Sequence, residues 1–360
     1  MLSSTRGRRT LVSAVIGASC LAMAACGSGG GSGSGGDEVG VTLITKNSSN
    51  PFFVTMQEGA KKAGKAEGVK VTTAAGKEDG DEQTQIAAIE DAIARGDQGI
   101  LITPNGPGVN SALDNARAQN LFVIALDTPP DPADTVDITF ATDNFKAGEL
   151  IGKWTAGQLA GKEANIALLD LFNDKVVSVD YNRDQGFLKG MGIELGDAKK
   201  TGDEAKSGTY TGGKGGSYTI VCNEPTQGAS DQGKTAMENC LSKSKDINVV
   251  YTINEPAAAG AAQALQEAGV KATIVSVDGG CDPGLTLVKD GTIGATSQQY
   301  PVKMAQLGVE AIKKIAEGGE KPAVTPGLDF YDTGVSLVAG EQMEGVESIS
   351  VEEGQKLCWG

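Results

Sequence analysis

Short apolar runs in this chain are followed, time after time, by side chains that hydrogen-bond. Lys46 and Asn50 follow the first such run. Asp127, Asn173 and Asp174, Asn254 and Glu255, Asp278, and Gln298 and Gln299 follow later ones, and Arg183 adds a guanidinium. Phe52 and Phe53 stand beside Asn50, an adjacent aromatic pair in a 360-residue chain with only 8 Phe, 6 Tyr and 2 Trp. Planar carboxylates and amides bridge neighbouring hydroxyls, while an aromatic face covers the C–H side of a ring. Together these are the chemistry of sugar recognition. Buried polar partners give selectivity there, because a ligand lacking a hydroxyl leaves them unpaired. Taken singly, each residue reads more simply as a loop or cap residue; their recurrence is what points to a ligand.

Composition removes several other chemistries. There is no histidine, which excludes the Ser-His-Asp triad, His general acid/base work and His metal sites. With 31 Lys+Arg against 46 Asp+Glu the net charge is −15, so the chain offers no basic footprint to nucleic acid. Four of the cysteines, Cys222, Cys240, Cys281 and Cys358, have neither CxxC spacing nor histidine partners, so no metal is expected. Asp79-Gly80-Asp81 reads as a turn, since the remaining spacing of a calcium loop is absent. Residues 228–235, GASDQGKT, match the phosphate-loop pattern after a strand and before a helix. In a chain with 51 Gly such a match arises by chance, and a Gly-flanked helix start is the simpler reading. Carboxylate pairs exist, but sequence cannot place two at the separation that glycoside hydrolysis needs. No catalytic residue and no cofactor is therefore assigned.

These residues must be positioned by an alternating pattern. Strands are expected over 39–45, 69–74, 99–103, 122–126, 165–169, 218–224, 248–252, 273–277 and 294–297. Helices are expected over 52–67, 82–95, 109–119, 145–159, 179–191, 231–243, 255–267, 283–289 and 302–317. Continuous apolar runs such as GILI (99–102) and FVIAL (122–126) imply burial on both faces, hence parallel sheets covered by helices. The fold class is doubly wound α/β, with too many units for one sheet and a division near 141–144. Residues 192–217 read as a polar surface loop. In such folds ligands bind at the carboxyl ends of strands, where the recurring polar residues lie.

The first residues are an address. Arg6, Arg8 and Arg9 precede an uncharged, largely apolar run over 11–25. That run is shorter than the about 20 residues of a membrane span and suits a signal peptide over 1–25. It ends Leu21-Ala22-Met23-Ala24-Ala25-Cys26, similar to a bacterial lipobox, which makes Cys26 the expected lipidation site. A Gly/Ser tether follows, completing a 26–37 segment. An oxidising compartment then favours disulfides. Four cysteines allow three pairings. Cys222–Cys240 with Cys281–Cys358 is preferred, because the first closes a strand–helix unit and the second pins the C-terminus.

Longer segments carry a resemblance. TLITKNSSNPFFVTMQEGAKKAG (42–64), VIALDTP (123–129), ATDN (141–144), RDQGF (183–187), TINEPAAAGA (252–261), IVSVDGG (274–280) and IGATSQQYP (293–301) resemble ribose-type (type I) periplasmic sugar-binding proteins. With DTGVSLV (332–338) and the terminal CWG, they look like the fructose-binding lipoprotein branch of ABC importers. The resemblance implies two doubly wound lobes joined by three crossovers: 38–142 plus 300–327, and 143–299 plus 328–360. It implies sugar contacts from Lys46, Asn50, Phe52, Phe53 and Asp127, and from Arg183, Asn254, Asp278 and Gln299. Lys46 stands where ribose receptors have Ser, Thr128 replaces an Arg, and Gly228 stands near an aromatic position. These departures suggest a hexose, with fructose first. The expected partners are a monosaccharide, the transmembrane subunits of an ABC permease, and the membrane through Cys26. The protein is expected to be an extracytoplasmic, lipid-anchored monomer and not an enzyme. The rivals are a same-fold receptor for a non-sugar signal and an extracellular sugar-acting enzyme.

Overall fold

The computed structural model describes residues 38–360; the signal segment, Cys26 and the Gly/Ser tether lie outside the described residues. Two sheets organise the chain. The first contains β1 (Gly40–Thr45), β2 (Lys70–Ala75), β3 (Gly99–Ile102), β4 (Phe122–Leu126), β5 (Ile138–Ala141) and, from far along the chain, β12 (Tyr331–Asp332). Its order is β12-β5-β4-β3-β1-β2, all parallel. The second contains β6 (Ala164–Asp170), β7 (Ser207–Tyr210), β8 (Gly216–Pro225), β9 (Val249–Thr252), β10 (Thr273–Asp278), β11 (Ala295–Gln298) and β13 (Ser336–Ala339). Its order is β13-β11-β10-β9-β6-β8-β7, with antiparallel pairing only at the two edges, β13 on β11 and β7 on β8.

The inner strands alternate between two cores. On β1, Leu43 enters one apolar cluster and Ile44 another; on β6, Leu168 and Leu169 divide in the same way. Each is fully buried, which is worth about 1.5–3 kcal/mol per side chain. The first sheet is covered by α1 (Pro51–Glu67), α2 (Glu82–Arg95), α3 (Asn110–Ala118) and α9 (Pro301–Ala316). The second is covered by α4 (Asn144–Leu159), α5 (Ser178–Met191), α6 (Ser230–Lys243) and α7 (Glu255–Ala268), with the short α8 (Thr286–Lys289) and α10 (Val351–Gly354).

The chain passes between the sheets three times: from β5 to α4, from β11 to α9 and from β12 to β13. Two crossings are laced together. Thr142 Oγ1 donates to the Gly334 carbonyl at 3.2 Å, and Thr333 N donates to Ala141 O at 2.8 Å. Tyr331 and Asp332 pair with Phe140 and Ala141, so they belong with the first sheet, although the sequence reading had ended that lobe at 327. Residues 192–217 also differ from the expected loop. Ser207–Tyr210 forms β7, which adds to the free edge of β8 and buries Tyr210. A four-residue Ser-Gly-Thr-Tyr edge strand has too little alternation to be legible in sequence.

Both disulfides take the preferred pairing, Cys222–Cys240 and Cys281–Cys358. The first joins β8 to α6 within the second lobe.

One helix pair has a special role. A β-carbon at Gly148 or Gly152 of α4 would collide with the Arg183 or Phe187 carbonyl of α5. Reciprocally, one at Gly186 or Gly190 of α5 would collide with the Phe145 or Glu149 carbonyl of α4. Four glycines thus let the two backbones touch. Gly148→Ala or Gly186→Ala should therefore destabilise the chain by about 1–3 kcal/mol, because neither backbone can yield to the added methyl. Urea unfolding measures this; wild-type stability in both variants would show that the helices can separate freely.

Candidate ligand-binding site

The carboxyl ends of the two sheets face each other across a narrow cavity of about 20 Å³, room for little more than one water-sized group, so the two lobes stand nearly closed on each other. The first lobe lines it with Lys46, Asn50, Phe52, Phe53, Asp79 and Asp127; the second with Leu171, Val179, Arg183, Ile253, Asn254 and Asp278. Eight of the nine residues expected at a ligand site thus meet here. Gln299 is not part of the wall; its Nε2 donates to Asp278 Oδ1 at 3.0 Å from behind. Asn173 and Asp174 do not reach the cavity and line a separate groove at the rim.

Local sequence explains the placement. Asn50 caps α1, its Oδ1 accepting from Phe52 N at 2.9 Å ahead of Pro51. Asn254 caps α7 in the same way, accepting from Ala257 N at 3.1 Å ahead of Pro256. Each cap fixes one end of an amide whose NH2 group remains a donor; that of Asn254 reaches the Gly228 carbonyl at 3.0 Å. Asp127 directly follows β4 and Asp278 ends β10, both with positive φ, 62° and 136°, conformations that cost a non-glycine residue on the order of 1–3 kcal/mol and cluster at functional sites. Phe52 and Phe53 meet edge to face, centroids 5.4 Å apart.

Arg183 occupies the centre. It is 5% exposed. Its Nε donates to Asn144 Oδ1 at 2.8 Å and one terminal nitrogen to the Ile253 carbonyl at 3.0 Å. Asp127 of the first lobe lies 3.5 Å from the guanidinium and Asp278 of the second lies 3.9 Å away. Asp127 Oδ2 accepts from the Thr128 hydroxyl at 2.8 Å, so Thr128 steadies the carboxylate where the resemblance had an arginine. Asp127 Oδ1 is buried without a hydrogen-bond partner.

Sequence reasoning missed Asp79. It sits in the loop after β2, the one inner-facing strand end whose next residues were read as a turn. Asn47 Nδ2 donates to its Oδ1, and burial raises its pKa although Lys46 opposes the shift. The cavity therefore sets two cations, Lys46 and Arg183, against three carboxylates. Burial, partly offset by Arg183, pushes Asp278 to about 7. Behind it, burial and the nearby Asp278 charge push Glu255 to about 8, against hydrogen bonds from Gly279 N, Gly280 N and Thr296 Oγ1.

Gly228 does not open extra room. Its φ is 64°, and a β-carbon there would crowd Asn254, Asp79 and Leu171. The phosphate-loop reading also fails locally, since Lys234 pairs with Glu267 at 2.7 Å on the outer surface. Contacts close the rim around the cavity: Lys175 Nζ donates to Gly80 O at 2.6 Å, Ser178 Oγ donates to Pro129 O, and Lys199 pairs with Asp131 at 3.0 Å. Among the described residues no group of three or more acidic or Cys side chains could hold a metal ion, and no helix is long and apolar enough to cross a membrane.

This geometry agrees with comparison to known proteins. The periplasmic binding protein domain matches residues 40–321, and the chain belongs to that family, with its type I two-lobed fold. The ribose import binding protein of Bacillus subtilis is 28% identical over 281 residues, covering 78% of this chain and 82% of the relative. The D-allose-binding periplasmic protein of Escherichia coli is 24% identical, covering 79% and 86%. Among solved structures, an ABC transporter solute-binding protein from Agrobacterium vitis with bound D-fucose superposes with a TM-score of 0.71 at 23% identity, covering 89% of this chain and 99% of that one. A second from the same organism, bound with α-D-tagatopyranose, gives 0.71 at 19% identity, covering 90% and 100%. The relatives and structural neighbours are named for the sugars they bind, and the chain shares their fold.

Raised carboxyl pKa values have a consequence for stability. Asp278 and Glu255 hold protons in the folded chain up to about 7 and 8, while their ordinary values are 3.8 and 4.5. Asp170 and Asp184, buried together beneath the site, shift in the same direction. The folded state binds more protons in that window, so their contribution is fully present below pH about 4 and is lost as pH rises toward 8. Calorimetric melting at pH 5 and pH 8 should show a shallower loss for Asp278→Asn than for wild type. Identical pH dependence would mean Asp278 is ionised throughout.

Proposed function

We propose that this chain is the extracytoplasmic, lipid-anchored receptor of an ABC sugar importer, which closes on one monosaccharide and presents it to the permease's transmembrane subunits. One observation carries the reading: Asp127 Oδ1, buried and without a hydrogen-bond partner, lies 3.5 Å from the Arg183 guanidinium across the interlobe cavity. A single hydroxyl can donate to that oxygen and accept from Arg183, joining one lobe to the other. The aromatic pair on one side and Asn50, Asn254 and Asp278 around it supply a face for C–H groups and further partners for hydroxyls. Such a ligand favours the closed state by contacts that need both lobes at once, which is what a closing motion requires. Binding of this kind uses no covalent step, and the chain acts as a carrier and not as an enzyme.

Fructose is the first candidate. The resemblance of the long segments favours it, and α-D-tagatopyranose, bound by one structural neighbour, is likewise a ketohexose. Ribose and D-allose, named for the relatives in Bacillus subtilis and Escherichia coli, are the alternatives to separate from it. The whole of 38–142 with α9 and β12 moves as one lobe and the remainder as the other. Cys26 carries the lipid and the Gly/Ser segment spaces the body from the membrane.

Titration calorimetry of residues 37–360, freed of bound ligand, with D-fructose, D-ribose, D-allose, D-glucose and D-xylose tests this. One-to-one binding of at least one sugar is expected, D-fructose tightest; silence across the panel in folded protein would reject the sugar reading. Asp127→Ala and Arg183→Ala should each weaken binding by about tenfold or more, because each strips a buried partner. Cys26→Ser should move the full-length protein from the membrane fraction to the soluble one, and retention in the membrane would refute the anchor.

A further inference from the structure

Trp359 lies outside the cavity wall yet touches two of the groups that shape it. Its indole packs edge-on against Phe52, with ring centroids 5.3 Å apart and planes at 81°. Its Nε1–H donates to the Gln299 carbonyl at 2.9 Å. Gln299 in turn holds Asp278 through its side-chain amide. Phe52 is therefore gripped edge to face from two sides, by Phe53 and by Trp359.

Trp359 is 7% exposed and belongs to the apolar cluster of the first lobe. The chain that delivers it is tied to the second lobe. Cys358 is bonded to Cys281, three residues beyond Asp278, and Cys281 N donates to the Trp359 carbonyl at 2.8 Å. The indole thus crosses from the lobe that holds its backbone into the core of the other.

We infer that Trp359, delivered by the Cys281–Cys358 bond, is a positioning residue for the ligand, fixing the Phe52 ring and the Gln299–Asp278 pair at once. This rests on the interlobe cavity being the sugar site. An aromatic wall covers a sugar only while its ring is held in one orientation, and an acceptor orients a hydroxyl only while its own partner is fixed. Trp359 supplies both restraints without touching the ligand, and the disulfide keeps it there.

The test compares wild type with Trp359→Ala, Trp359→Phe and the double variant Cys281→Ser, Cys358→Ser, titrating D-fructose, D-ribose, D-allose and D-tagatose. Circular dichroism confirms folding of each. Trp359→Ala and the double variant should bind the preferred sugar at least about fivefold more weakly, and Trp359→Phe, which keeps an aromatic edge on Phe52, should recover part of the loss. In a Trp154→Phe background Trp359 is the sole tryptophan of the chain, and its fluorescence should change on sugar addition. Unchanged affinity in Trp359→Ala with a silent indole would overturn the inference. Amide exchange at Phe52, Phe53 and Gln299 in sugar-free protein gives a second arm, and it should quicken in Trp359→Ala. Unchanged exchange overturns the inference whether or not any sugar binds, whereas a wild type silent to all four sugars counts against the receptor reading alone.

Discussion

A guanidinium buried as deeply as that of Arg183 must find acceptors on every side, because an unpartnered buried charge costs several kcal/mol. Much of the molecule can be understood as the arrangement that provides them. Asn144 opens α4 and Arg183 rides on α5, and the four glycines between these helices bring the two close enough for a 2.8 Å bond. Ile253 offers its carbonyl because β9 has ended there. Asp127 and Asp278 approach from opposite sheets, each at a strand end with a positive φ that turns its carboxylate into the space between. The cation is thus a node on which both lobes converge.

The charges around that node are unbalanced by one carboxylate. Lys46 and Arg183 answer Asp79, Asp127 and Asp278, and Asp278 has Glu255 directly behind it. Burial makes the excess expensive in its ionised form, which is why protons are retained well above the ordinary carboxyl range. An array of acceptors with spare capacity suits a neutral, hydroxyl-rich solute better than an anion. The rim contacts from Lys175, Ser178 and Lys199 add to the closed arrangement at points remote from this electrostatic centre.

The main architecture was legible because the inner strands are apolar runs punctuated by caps. All nine expected strands form within two residues of their expected bounds, and Asn50-Pro51 and Asn254 with Pro256 mark their helices directly. What escaped were elements defined by pairing and not by composition. β5 is a four-residue segment, β7 is polar, and β12 is two residues whose place depends on β5. The site followed the same logic. Residues immediately after apolar strands stood out, and eight of nine line the cavity. Asp79 escaped because β2 is an edge strand of mixed polarity followed by a Gly- and Asp-rich turn. Trp359 had no signal at all: its place depends on a disulfide between residues 77 apart.

The sheet margins carry a further meaning. One sheet ends in the two-residue β12 and in β2, whose leading Lys70 is exposed. The other ends in β13 and in β7, three of whose four residues are exposed and none of them apolar. Neither sheet offers a long, flat, greasy border that a neighbouring copy could extend by strand addition. At three of these margins strand addition by a second copy gains little: β12 is too short to template one, β7 exposes only Ser, Gly and Thr, and β13 keeps Leu337, Val338 and Ala339 buried.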